Sequence, residues 1–454
     1  NDKLYLPPVN PENLPINLPS GGWTLLDNPD TTGITLPATV EGTLWGYNGQ
    51  TFGVTGNYTG VSWFHTRTFI PQSWKGKRIV LQVGSVRFRA EIFINRELSG
   101  YDLVNSTPFD IDITPYVKYG KENEIAFRIT DPNGNFNWKD SQLYTWGNYF
   151  TNPSHGFGGI TGKVTLIATD PLYISDVFIK NKPQPHEIEV EISLDNGYAD
   201  VQKGKGIQLE IMEHVSGKSI YKKEYSLPPL QTGSNTQTYH IALPKAKLWS
   251  IDSPNLCDLK VTVGNDNRSQ RFGFRWFEIK DINGDKQFYL NGKRIVLRTA
   301  ISWSFWPDNG IAPTDELARR QIEIAKKLGL NMLNFHRTIG APNVLDYADE
   351  LGLLYFEEPG GNQYSASRFN DGTEATAFYF GYRNEKLARM IKRDRNHPSL
   401  VIYNLHNERG AWPQRQDYDQ MRMAHAIDPT RILTYNSSNG ENPLNEPNAP
   451  IQTA

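Results

Sequence analysis

The sequence predicts a multidomain β and α/β protein: two successive β-sandwiches, then part of a (β/α)8 TIM barrel. Three observations carry this reading. Residues 61–170 hold short alternating strands with almost no helical periodicity. Residues 173–283 repeat an all-β pattern over roughly 110 residues, the size of an immunoglobulin-like sandwich. From residue 284 onward apolar strands alternate with amphipathic helices, the mark of a parallel sheet wrapped by helices.

Taken in order, residues 1–20 are Pro-rich and predicted to be extended. WFHTRTFI, RIVLQVG, AEIFINREL, EIAFRIT and KVTLIAT follow as strands of the first sandwich. The segment 132–159 is too long and too polar for an ordinary connection, and long ordered loops tend to carry function. The second block supplies ISDVFIK, EIEVEISL, IQLEIMEH, QTYHIAL and LKVTVG. The third begins with the strand RIVLRTA. The helix DELARRQIEIAKKLG comes next, with Leu317, Ile322, Ile324 and Ala325 expected on one side and Gly329 ending it. LNMLNFH, LLYFEE, LVIYNLHNE and RILTYNSS read as further strands; NVLDYADELG, NEKLARMIKRDR and QDYDQMRMAHAI read as the helices between them. Five strands can be counted where a closed barrel has eight, so the chain is expected to be part of a longer polypeptide. The expected boundaries are 1–172, 173–283 and 284–454.

Bulk properties remove several function classes. A formal net charge of −2 gives no electrostatic case for nucleic acid or an anionic membrane. No run of about 18 apolar residues is present. Cys257 is the single cysteine, which rules out an internal disulfide and a thiolate metal cluster within the chain. This cysteine usage fits a bacterial periplasm or exterior and also a cytoplasm. The 11 Trp, 22 Tyr and 21 Phe suit stacking on sugar rings, but by count alone they fit better as anchors in sandwich cores.

In barrels of this kind the chemistry sits at the C-terminal strand ends. The first strand is expected to end at Thr299–Ala300, running into Trp303, Phe305, Trp306 and Asp308. The second ends in Asn334, Phe335, His336 and Arg337, the third in Glu357 and Glu358, and the fourth in Asn407 and Glu408. Polar groups and aromatics therefore collect at one rim. Glu408, in VIYNLHNERG, is the leading candidate for chemistry: a carboxyl at a strand end beside other carboxylates can have its pKa raised enough to act as an acid. The competing reading pairs Glu408 with Arg409 or His406 in a structural ion pair. His336 and Arg337 either bind substrate oxygens or neutralise Glu357 and Glu358. Trp303 and Trp306 are either a sugar platform or loop packing. No metal site is supported, because no spaced His/Asp cluster accompanies the two glutamates.

The chain resembles glycoside hydrolase family 2, which holds β-galactosidases, β-glucuronidases and β-mannosidases. YTGVSWFHTRTFIP, EIFINRELSG, STPFDIDITPYV and GFGGITGKVTL look like that family's sugar-binding jelly roll. LWSIDSPNLCDLKVTV with RFGFRWFEI looks like its immunoglobulin-like domain; FYLNGKRIVLR, AKKLGLNMLNFHRT, YADELGLLYFEE, RDRNHPSLVIYNLHNERG and AIDPTRILTY look like the first half of its barrel. The resemblance implies a retaining exo-acting β-glycosidase, most similar to a β-galactosidase. Glu408 would then be the general acid/base, Asn407 the asparagine before it, and Glu358 the acidic residue ending the third strand. The family's nucleophile is a Glu on a later strand, and nothing in this chain matches it, so the chain alone is expected to be inactive. Thr299–Trp303 and Asn334–Ile339 depart from the family's sugar-holding runs, as Gly158–Gly162 departs from its G-G-I-x-R run. The loop 132–159, with Trp138, Asp140, Tyr144 and Trp146, is the expected source of substitutes. No cofactor is expected. The expected partner is a carbohydrate, and an incomplete barrel with exposed strand edges is expected to associate with itself or a partner. A non-hydrolytic carbohydrate-binding protein is the competing class.

Overall fold

Alternation of side chains builds the two sandwiches. The computed structural model describes residues 34, 36–39, 60–131, 144–146, 149–151, 158–302, 313–360, 372–407 and 415–436. In the first sandwich, Gly60–Ile70, Lys121–Asp131, Arg89–Ile94 and Glu97–Asp102 form one antiparallel sheet in that order. Val164–Thr169, Arg78–Val83 and Phe109–Asp112 form the facing sheet. Phe64, Ile79, Leu81, Ile92, Ile125, Phe127 and Ile129 fill the space between them. The second sandwich is cleaner still. Strand Glu187–Asn196 buries Ile188, Val190, Ile192 and Leu194, with period two, against Ile207, Leu209, Ile211, Leu259 and Val261 of the other sheet.

The third region is a five-stranded parallel sheet. Its strands are β1 (Thr299–Ser302), β2 (Met332–Phe335), β3 (Leu354–Glu357), β4 (Leu400–His406) and β5 (Ile432–Asn436), paired in chain order. Between them run helices α1 (Asp315–Lys327), α2 (Pro342–Leu351), α3 (Glu374–Asp394) and α4 (Arg415–Ile427). Outward-facing Leu333, Phe335, Tyr355, Tyr403, Leu405 and Leu433 pack on the helices. Inward-facing Met332, Leu354, Ile402 and Ile432 pack on Trp249, Phe277 and Leu290. Phe277 and Leu290 belong to the hairpin Phe277–Ile282 with Asp285–Leu290, which therefore covers the N-terminal strand ends. The C-terminal ends remain for the site.

Three expectations need correction. The first barrel strand is Thr299–Ser302, two residues past the expected end, and it does not begin at Arg294. Lys293–Arg294 instead completes the hairpin sheet, Ile295 N–H donates to Phe288 O at 2.9 Å, and the Asn331 side chain takes the Arg298 N–H at 2.7 Å. In α1 the buried residues are Ala318, Ile322 and Ala325, while Ile324 is exposed; spacings of four and three define the face, and 324 falls off it. Helix α3 begins at Glu374, well before the expected NEKLARMIKRDR, because Thr373 caps it and Phe378, Tyr379 and Tyr382 are buried along its first half.

The regions dock through buried polar contacts. Arg275, fully buried, donates from Nε to Pro398 O at 3.1 Å and from Nη2 to Leu400 O at 2.8 Å. Asn396 bonds the backbone of Val177 and Ile179 across the second sandwich and the barrel. The first sandwich meets α3 directly: Tyr382 Oη donates to Asn105 Oδ1 at 2.7 Å, and Arg389 pairs with Asp102 at 2.7 Å. Phe88, Leu103, Val104 and Phe378 close around that contact.

Candidate active site

The strand ends place two neighbouring glutamates on opposite faces of the sheet. Glu357 continues the outward parity of Tyr355 and faces the helix layer. Its Oε1 accepts from Gly340 N at 2.9 Å and lies 3.6 Å from Arg393 of α3. Burial pushes its pKa well above the ordinary carboxylate range, and the charge of Asp394 adds to that; Arg393 and the Gly340 N–H oppose it. Glu358 faces the other way. Its Oε2 accepts the Arg337 N–H at 2.8 Å and its Oε1 accepts from Asn404 Nδ2 at 3.3 Å. The two therefore do not form one metal site.

Asn404 is the connecting residue. Fully buried on β4, it donates to Glu358 and to the carbonyl of His406, and its Oδ1 accepts from Thr434 Oγ1 of β5 at 2.8 Å. It links β3, β4 and β5 just beneath the rim. Asn407 follows β4 directly and is 3% exposed. Asn334, on the inner parity of β2, is 8% exposed, and its Oδ1 has no hydrogen-bond partner among the described residues. A buried acceptor without a donor is ready for a ligand hydroxyl.

His336 is half-buried, with its N–H donating to Ser302 O at 2.9 Å. Arg337 is buried with φ 58°, and its backbone N–H donates to Glu358 Oε2. Glu408, Trp303, Trp306 and Asp140 lie outside the described residues, as do Phe305, Asp308 and Trp138. Of the loop 132–159, the hairpin Tyr144–Trp146 with Tyr149–Thr151 is described, and its second strand lies alongside α3.

Beneath the tip of β4, His406 Nε2 lies 3.1 Å from Arg383 Nη2, and that nitrogen also donates to Asp417 Oδ1 at 3.2 Å and Gln420 Oε1 at 2.7 Å. Sequence reading missed Arg383, Asp417 and Gln420, because no local spacing marks a helix residue that reaches a strand end, and Thr434, whose partner Asn404 is on the neighbouring strand. One group of His and carboxylates among the described residues has metal-like spacing: Asp346, Asp349 and His397. Asp349 also accepts the Ser399 N–H at 3.0 Å just before β4, and its carbonyl accepts from Trp249 Nε1. This group sits at the closed N-terminal end, and Arg271 pairs with Asp346, Asp349 and Glu350 there. It is an ion cluster that ties sandwich to barrel.

Three family models match in succession. The sugar binding domain of glycosyl hydrolases family 2 matches residues 12–169, the family's central domain 172–275, and its TIM barrel domain 279–451. The chain belongs to glycosyl hydrolases family 2. The first sandwich is thus the family's jelly-roll sugar-binding domain, the second its immunoglobulin-like domain, and the parallel sheet part of its TIM barrel. Among family 2 relatives, a β-galactosidase of Thermoanaerobacter pseudethanolicus is 29% identical over 83% of this chain and 48% of its own length. A β-glucuronidase of Bacteroides fragilis is 24% identical over 92% of this chain and 59% of its own. The solved β-glucuronidase of Bacteroides uniformis shares the family 2 fold, with a TM-score of 0.70 and 23% identity over 89% of this chain and 49% of that one. The chain spans about half the length of these family 2 proteins.

Proposed function

We propose that this chain is the N-terminal portion of a retaining, exo-acting β-glycosidase that removes terminal β-linked sugars from oligo- or polysaccharides, with β-galactosidase-like specificity. The observation that carries the reading is the match of all three family domains in order, with Glu358, Asn404 and Asn407 gathered at the C-terminal ends of adjacent barrel strands. Glu408 follows Asn407 and is the general acid/base. A second carboxylate, contributed from outside this chain, attacks the anomeric carbon while Glu408 protonates the departing oxygen. Glu408, now a carboxylate, then takes a proton from water, which displaces the enzyme carboxylate from the anomeric carbon. Asn407 and the Asn334 amide oxygen hold sugar hydroxyls. We assign sugar contacts to His336, Arg337, Trp303, Trp306 and Asp140 as well. No cofactor takes part in these steps.

A β-glucuronidase-type specificity is the second reading, favoured by the β-glucuronidases found among the relatives at similar identity. The test uses a polypeptide extending this chain to a complete barrel. Glu408→Gln is expected to lower turnover of aryl β-glycosides with poor leaving groups by about 10²- to 10⁴-fold. Near wild-type turnover would overturn the assignment. Paired aryl β-galactosides and β-glucuronides decide between the two specificities.

A further inference from the structure

We propose that His406, clamped to the helix layer by Arg383 and Asp417, is a positioning residue that fixes the tip of β4 carrying Asn407 and Glu408. The inference rests on the reading of Glu408 as the acid/base. His406 is the last residue of β4 and is 2% exposed. Its Nε2 meets the helix layer. One guanidinium nitrogen of Arg383, on the helix before β4, serves His406 Nε2 together with Asp417 and Gln420, both on the helix after β4. The strand tip is thereby tethered to both flanking helices at once. His406 Nε2 thus lies between the Arg383 guanidinium at 3.1 Å and the Asp417 carboxylate at 3.5 Å. Tyr435 of β5 meets the ring edge-on, with centroids 5.2 Å apart at 82°. The carbonyl of His406 is held separately by Asn404 Nδ2, whose amide also holds Glu358. Side chain and main chain are both fixed one residue before Asn407 and two before Glu408.

Burying Arg383 and Asp417, at 6% and 0% exposure, is costly, and an apolar filler of equal volume would cost less. What the polar set adds is direction. A hydrogen bond to a fixed guanidinium defines the angle at which the chain leaves β4, and an aliphatic side chain at 406 would not. Proton transfer demands heavy-atom approach within hydrogen-bond reach, so a small rotation of this tip separates Glu408 from the glycosidic oxygen.

The experiment uses the polypeptide with the complete barrel and compares His406→Leu, His406→Gln, Asp417→Asn and Glu408→Gln. Substrates are phenyl and 2,4-dinitrophenyl β-glycosides, the first needing protonation of its leaving group and the second not. His406→Leu is expected to lower kcat/KM, which reports the first step alone, by about 10- to 100-fold on the phenyl glycoside and by less than about threefold on the dinitrophenyl glycoside; all losses compared below are in kcat/KM. His406→Gln, whose amide oxygen can still accept from Arg383, recovers most of the phenyl rate. Asp417→Asn shows the same selective loss in milder form and serves where His406→Leu does not fold. Equal loss on both substrates, or no loss on either, overturns the positioning role while leaving Glu408 in place. Retention of phenyl turnover by Glu408→Gln overturns the acid/base reading itself, and this inference with it.

Discussion

Glu357 and Glu358 are chemically identical neighbours with opposite fates, decided by strand parity. Glu358 turns inward and meets backbone and amide donors. Glu357 turns outward into a sealed space where Asp394 is already bound to Arg393, through Nε–Oδ1 and Nη2–Oδ2 contacts of 2.7 Å each. Burial, with the Asp394 charge adding to it, raises the Glu357 pKa well above its ordinary value, against the pull of Arg393 and the Gly340 N–H. The sign of the pH effect follows. Unfolded, the group releases its proton near its ordinary 4.5; folded, it holds the proton to higher pH. Its contribution to stability is therefore full at low pH and is lost as pH rises above that value through the raised folded pKa. Glu357→Gln mimics the protonated acid and keeps an oxygen for the Gly340 N–H. Urea midpoints at about pH 5.5 and pH 8.5 should differ less in the variant than in the wild type. An unchanged difference would show that Glu357 is ionised in the folded protein.

At the scale of elements, the turns were the most legible part of the sequence. Gly352 after YADEL ends α2 where expected, with φ 75° and its N–H on Ala348 O. A Cβ there would meet Ile251 O at 2.5 Å, whereas Gly329 after α1, at φ 80°, has open space around it. Gly329→Ala should thus cost about 1–2 kcal/mol for the left-handed backbone alone, and Gly352→Ala about 1–3 kcal/mol more through the clash. Equal losses in chemical denaturation would remove the steric argument. The ends of β2, β3 and β4 were legible for the same local reason: their apolar runs give way to polar groups at Asn334, Glu357 and Asn404. The start of β1 was not, because Ile295 and Leu297 are apolar enough for a strand and are used against the hairpin instead. The inward turn of Glu358 and the Arg383–Asp417 clamp were also hidden. Both are fixed by partners on other elements, which no period in one segment reveals.

For the whole molecule, the contacts of α3 join the sugar-binding domain to the candidate site. Tyr382 faces the jelly roll through Asn105, and the next residue, Arg383, holds His406. Arg389, farther along the same helix, pairs with Asp102. Docking of the first domain and placement of the β4 tip therefore share one rigid element. Tyr382 is fully buried, and its hydroxyl is the donor to a buried amide oxygen, so Tyr382→Phe leaves that oxygen without this donor at little change in volume. The expected cost is about 1–3 kcal/mol. Asn105→Ala should cost a similar amount, and the double variant should cost less than the sum by about 1 kcal/mol, because both single changes break the same bond. The cycle can be run by urea denaturation on this chain. If α3 couples domain docking to the site, Tyr382→Phe in the polypeptide with the complete barrel should also lower kcat/KM on the phenyl β-glycoside more than on the dinitrophenyl one. Strict additivity in the cycle would mean that the Tyr382–Asn105 bond adds nothing to docking, which then rests on the apolar contacts of Phe88, Leu103, Val104 and Phe378 and on the Arg389–Asp102 pair.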